Sequence, residues 1–255
     1  MEKLRTSADW LRYFEANRQL LLEIPWEAGP ELTARERRAI RRSVQEFQHG
    51  ESSDGRQLLR YAHDYADRTG DRDYLPALQL FIAEEHRHAR DLGRFLAING
   101  IPLVAHTPSD RVFRSLRHVA GSLEVSIAVL ITAEIIAQVY YAALREATNS
   151  RILRRLCEQI LQDEAAHVQF QAQQLETLRA GRGPLRRGLT MAAQRMLFLG
   201  TCLVVWLFHG RALDAGGHRF TRFWHGAWLH FEMAFSGRAA VPITRSRLTG
   251  APSGE

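Results

Sequence analysis

The chain has 255 residues, 45% of them apolar and 24% charged, which excludes wholesale disorder and leaves apolar material for a substantial core. Its only cysteines, Cys157 and Cys202, form neither a framework nor a CxxC pair, so a disulfide-stapled mini-protein is excluded and a reducing, cytoplasmic setting is expected. The formal net charge is +6 with Lys3 as the only lysine. The arginines are scattered along helical faces without interleaved stacking aromatics, so nucleic acid is not expected as a partner.

Helical periodicity runs through most of the sequence, and no stretch alternates like a half-buried strand beside a hairpin turn, so an all-α fold is expected. Ser7 can cap a first helix over about 8–22, closed off by Pro25 and the Ala28-Gly29-Pro30 break. Thr33 and Glu36 have capping-box spacing and open a long second helix that ends near Thr69-Gly70. Asp71 or Asp73 starts a third, which continues to Ala97 and stops at Asn99-Gly100-Ile101-Pro102. Residues 103–110 form a longer crossing. A fourth helical region follows Asp110, with a candidate break at Gly121, and ends at Asn149; a fifth runs from Arg151 to about Arg179.

Beyond a linker at 181–184, two apolar helices are expected at about 185–213 and 218–235, and residues 236–255, rich in Gly, Ser, Pro and Arg, are expected to fray. The start, MEKLRTSADW, lacks the apolar run of a secretory signal. The longest apolar run, 196–208, is shorter than the roughly 20 residues of a bilayer span. Spanning is therefore disfavoured unless residues 189–193 extend the run past Arg195.

Two helix hairpins, 34–98 and 110–179, joined by a long connection have the layout of a four-helix bundle with one crossover. An N-terminal helix and the two C-terminal helices complete a single expected domain over 1–235.

A polar pattern repeats along these helices. Glu85-His86-Arg87-His88 and Glu164-Ala165-Ala166-His167 are both Glu-x-x-His, a spacing that puts carboxylate and imidazole on adjacent turns of one face. In the third helix Leu75, Leu78, Phe81 and Ile82 lead to Glu85 and His88 before the stripe resumes at Leu92, Phe95 and Leu96. In the fifth, Leu156, Cys157, Ile160 and Leu161 lead to Glu164 and His167. Both pairs therefore point inward. A third match, Glu46 to His49, lies roughly 130° to 170° from the apolar stripe of its helix and is expected at the surface.

Glu51 and Glu134 also interrupt apolar stripes. Isolated ionised carboxylates inside a helical core are very costly unless paired or metal-bound. Glu51 stands 19 residues before Gly70 and Glu85 stands 15 after it; Glu134 stands 15 before Asn149 and Glu164 stands 15 after it. Within each hairpin the groups reach similar depth. Four carboxylates and two neutral imidazoles would be neutralised by two divalent cations, and an oxygen-rich donor set suits iron or manganese.

On these residues the sequence resembles the ferritin-like di-iron carboxylate superfamily, in which one Glu from each of two helices joins Glu-x-x-His from each of two others. The resemblance covers roughly 34–180. It implies Glu51 and Glu134 as lone carboxylates, Glu85 and Glu164 as metal-bridging groups, and His88 and His167 as imidazole ligands. It also implies that Glu84 and Asp163, each preceding a bridging position, hold the opposite ligand histidine through its other ring nitrogen.

Two features depart from that pattern. The segment Gly50-Glu51-Ser52-Ser53-Asp54-Gly55 surrounds a ligand with poor helix formers, at up to about 1 kcal/mol for each glycine relative to alanine. A bulge that opens space for substrate and close helix packing are equally weighted readings. The other departure is the apolar, aromatic extension at 185–235, most simply core packed on the bundle. A substrate tunnel or dimer interface comes next, and contact with a membrane surface is not favoured. His63, His209, His218, His225 and His230 are weak candidates for a further ligand, and Tyr140 or Tyr141 for radical or hydrogen-bond chemistry.

The function these readings imply is a di-iron oxidoreductase that uses dioxygen to oxidise a small apolar substrate, with an external electron donor and with a homodimer allowed. Ferroxidase or iron storage, or disposal of peroxide by an iron or manganese centre, uses the same ligands and remains open.

Overall fold

The structure is a computed structural model and describes residues 5–53, 55–105 and 121–236. Among the described residues every regular element is helical: α1 Ser7–Asn17, α2 Ala34–Glu51, α3 Arg56–Thr69, α4 Tyr74–Ile98, α5 Leu123–Glu146, α6 Arg151–Arg179, α7 Pro184–Ala215 and α8 Phe220–Phe235, with a 3-10 turn at Trp26–Ala28.

Local signals set most of these boundaries. Thr33 caps α2 and Glu36 returns the bond to its backbone, a reciprocal capping box. Ser122 and Ser150 each accept from a first-turn amide of α5 and α6, so α5 starts just after Gly121. Residues 106–120, where a longer fourth helix was expected to begin, lie outside the described residues, as does most of the expected tail.

Two expectations need correction. The first helix is capped by Thr6, whose side chain and Asp9 form a capping box, and it ends at Asn17 rather than near Leu22. Beyond it the chain is drawn against α6, with the Leu22 amide donating to Gln159 Oε1 at 2.7 Å. The second helix is two helices. Glu51 ends α2, the chain turns, and Gly55 at φ +61° starts α3.

That break combines the two readings of the glycine-rich segment. A Cβ on Gly55 would meet Ile82 Cδ1 at 2.7 Å, so close packing on α4 is one reason for the glycine, and its left-handed backbone is another. The turn also lines a cavity, described below. His86 Nε2 lies 2.9 Å from the Ser53 carbonyl and ties the turn to α4.

The core lies where α4, α5 and α6 meet, with Phe81, Leu92, Ile131, Ile135, Leu156 and Ile160 all buried. α5 and α6 share the most extensive interface; α4 packs on α1, α2, α3 and α6; α7 covers α2 and α5; α8 rests on α5 and α6. α5 and α7 are both long and apolar enough to cross a membrane, but α5 is mostly buried in the protein whereas α7 is mostly not.

Candidate metal centre

Four helices deliver the six inward residues to one place. Glu51 comes from the last turn of α2, Glu85 and His88 from the middle of α4, Glu134 from α5, and Glu164 and His167 from α6. They form two overlapping sets: Glu51, Glu85, His88 and Glu164, and Glu85, Glu134, Glu164 and His167. Within each set one ligand atom per residue lies within 4.8 Å of all the others. Each set could hold a metal ion, with Glu85 and Glu164 common to the two.

The histidine rings are aimed by carboxylates behind them. His167 Nε2 is 2.9 Å from Glu84 Oε2, and His88 Nε2 is 3.1 Å from Asp163 Oδ2. With an ionised carboxylate as acceptor, the Nε2–H donates and the Nδ1 lone pair faces the cluster. His167 Nδ1 then lies 3.0 Å from Glu85 Oε1, and His88 Nδ1 lies 3.7 Å from the same oxygen.

A polar layer that the sequence motifs did not reveal holds Glu84 and Asp163. Asn17 Nδ2 donates to Glu84 Oε1 at 2.6 Å and to Asp163 Oδ1 at 2.9 Å. Gln159 Nε2 donates to both Asp163 oxygens, and Arg87 donates to Oδ2 at 2.6 Å. Burial alone would raise the Asp163 carboxyl. Hydrogen bonding from His88, the charge of Arg87 and the Asn17 donor instead hold it far below the usual carboxylate range. Asn17 carried no usable signal, because it sits at the end of another helix and outside any repeated spacing.

Two further contacts fix the lone carboxylates. Tyr141 Oη donates to Glu51 Oε1 at 2.6 Å, and Gln171 Nε2 donates to Glu134 Oε1 at 3.3 Å. Of the two candidate tyrosines, Tyr141 thus reaches the cluster. Tyr140 stacks on Phe47 and accepts from Ser43 instead.

The donor set fits a metal. Glu85 Oε1, both Glu164 oxygens and the Nδ1 atoms of His88 and His167 are buried without a hydrogen-bond partner, the costly condition that coordination relieves. Burial, then the neighbouring charge of Glu134, pushes the Glu85 and Glu164 carboxyls well above their ordinary range. Burial opposes protonation of His167, yet its contacts with Glu134, Glu164, Glu84 and Glu85 raise it. A bound cation would offset the cost of ionising these carboxyls. The set therefore could hold metal, with no thiolate among its members.

The weaker candidates fall elsewhere. His63 pairs with Asp67 at 3.2 Å near the surface, His218 faces the Gly216 carbonyl at 3.1 Å, His225 is exposed, and His230 is half-buried. The Glu46 of the third Glu-x-x-His is not at the surface. It is buried, because α7 packs over that face of α2 and brings His209 Nε2 to 3.8 Å from its carboxylate, with Arg42 donating at 3.0 Å. Neither Glu46 nor His49 belongs to the two sets.

Beside the cluster lies a cavity of about 560 Å³. Glu51, Glu85 and Glu134 reach its wall, as does the turn between α2 and α3. Much of the remaining wall is apolar, including Phe47, Ile82, Val129, Leu130, Ile136 and Val205. Comparison of the chain with protein-family models, curated proteins and solved structures returns no match.

Proposed function

We propose that the chain is a non-haem di-iron carboxylate enzyme on a ferritin-like bundle of α2, α4, α5 and α6, which uses dioxygen to oxidise or oxygenate a small apolar substrate. The observation that carries this reading is the contact between an apolar cavity large enough for an organic molecule and three carboxylates of a six-residue donor set. A site that only loads iron has no need of such a cavity.

Glu51, Glu85, His88, Glu134, Glu164 and His167 would hold two iron ions, and the donor set also admits manganese. When bound, the ions supply the redox chemistry that activates dioxygen. The chain's residues do the rest. Glu84 and Asp163 keep each imidazole proton on Nε2, so that Nδ1 stays available as a donor. Tyr141 holds Glu51 at the cavity edge. The apolar wall orients a hydrophobic substrate and excludes bulk water. An external electron donor is required for turnover of an oxygenase and an iron-loaded centre is the form to assay.

The test is anaerobic loading with ferrous iron, metal analysis, and oxygen consumption with and without apolar substrates. Two ions per chain and substrate-dependent consumption that is lost in Glu85→Ala and His167→Ala are expected. Iron oxidation independent of any organic substrate, together with a large hollow assembly by size exclusion, would replace this reading with iron handling.

A further inference from the structure

α7 is apolar on two opposite faces, and only one of them is covered. Phe198, Thr201, Val205, His209 and Ala212 are buried where the helix packs on α2 and α5. On the other side Leu185, Leu189, Met196, Leu203 and Leu207 are 78%, 65%, 69%, 49% and 78% exposed. At 3.6 residues per turn these five fall within about 40° of one another and extend about 33 Å along the axis. A surface helix ordinarily turns charged residues outward, and a continuous stripe of this kind marks an interaction surface.

Charge identifies the occupant. Between Leu185 and Leu207 α7 carries no Asp or Glu, and Arg186, Arg195 and Arg211 stand about 60° to 100° from the stripe's centre, on both flanks. Arginines so placed can lay their aliphatic stems beside an apolar surface while the guanidinium reaches phosphate. Trp206 stands at the same edge and meets Phe220 of α8, itself 40% exposed, at 5.3 Å; such rings suit the headgroup layer. The first acid on α7 itself is Asp214, past the end of the stripe, and Glu232 of α8 lies 3.7 Å from Arg195.

We propose that the outer face of α7 seats the protein on an anionic membrane surface, with the helix lying in the interface plane and the stripe facing the acyl chains. This does not depend on the metal chemistry, and it revises the sequence-level preference against membrane contact. Spanning is not implied, because the opposite face is engaged by α2 and α5 and buries the polar Gln194 and His209. A second copy fits less well, since two stripes brought together would oppose arginine flanks with only Glu232, already beside Arg195, as a carboxylate near the contact. Lipid phosphates supply that countercharge.

Co-sedimentation of the full chain with vesicles of phosphatidylcholine, alone or mixed with phosphatidylglycerol, tests this. Binding to the mixed vesicles, weakened by salt, is expected, with at least about a tenfold loss for the double variant Leu203→Glu, Leu207→Glu. Both positions are solvent-facing, so the variant's thermal unfolding should match wild type and exclude misfolding as the cause. The double variant Arg186→Glu, Arg195→Glu should lose the preference for anionic lipid. Failure of the wild type to bind mixed vesicles, or equal binding by the leucine variant, overturns the proposal. A wild-type dimer that the leucine variant converts to monomer, without vesicle binding by either, assigns the face to a second copy.

Discussion

The two halves that meet at the candidate metal centre offer corresponding side chains on unlike backbones. In the 34–98 half, Glu51 is the last residue of α2, a turn follows at once, and Glu51 and Glu85 are only partly buried and line the cavity. In the 123–179 half, Glu134, Glu164 and His167 sit inside uninterrupted helices, are 4%, 0% and 0% exposed, and belong to the protein's most extensive helix interface. One half is built to hold its groups still. The other trades helical continuity for access to the cavity. Glu134 of the second half also reaches the cavity wall, so the asymmetry lies in backbone continuity and burial.

The largest effect should come from removing a shared carboxylate. Glu164→Ala takes a ligand from both sets, so metal analysis after ferrous loading should find both ions lost and oxygen consumption abolished. Glu51→Ala touches one set and should retain the ion held by the other. Equal loss in both variants would remove the asymmetry from the metal binding itself.

Rigidity can be compared through two glycines. A Cβ on Gly216 would stand 1.9 Å from the Ala143 carbonyl oxygen of α5, a backbone atom with no freedom to yield. Gly216→Ala should cost about 3 kcal/mol or more in urea denaturation. Gly55→Ala meets only the flexible tip of Ile82, at 2.7 Å, plus the left-handed backbone penalty. It should cost about 1–2 kcal/mol. A reversed order would contradict the view that the second half is the stiffer one.

Acid should act through the covering helix. Burial lowers the His209 pKa to about 4 despite the nearby Glu46 carboxylate, with Arg42 adding to the fall; Ser43 and Tyr140 are its other polar neighbours. Above pH 6.5 the imidazole is neutral both folded and unfolded and contributes no pH dependence. As pH falls from 6.5 toward 4 the unfolded chain takes up a proton that the folded one does not, so stability declines. By pH 5 that is about 2 kcal/mol. His209→Gln should lose about this much less stability than wild type between pH 7 and pH 5, read from urea midpoints. Identical slopes would place the acid sensitivity elsewhere.

The smallest effect concerns Glu51 alone. Tyr141→Phe removes the 2.6 Å bond to its carboxylate, a net loss of about 0.5–1.5 kcal/mol. Metal affinity at one of the two positions should fall severalfold with little change in unfolding temperature. An unchanged titration would mean that Tyr141 only packs.

Residues 151–179 illustrate what could be read in advance. The 3.6-residue apolar period, Ser150 before it and Gly181 after it mark a helix, and Glu164 and His167 stand in the gap of its stripe. Periodicity is a local property, so inward-facing carboxylates on four helices were legible one helix at a time. Residues 34–69 show the opposite. Their period continues across 52–55, but Gly55 packs on Ile82 and His86 holds the turn, contacts with α4 that no window along α2 contains.

The amino-acid sequence by itself determined the helical class, most helix boundaries and the inward placement of Glu51, Glu85, His88, Glu134, Glu164 and His167, because capping and amphipathic spacing act over one or two turns. Tertiary structure alone decided that Asn17 ties Glu84 to Asp163, that Glu46 is covered by α7, and that the outer face of α7 is left bare. Burial depends on which surface a distant segment covers, and a helix apolar on both sides does not encode which side its own protein will take.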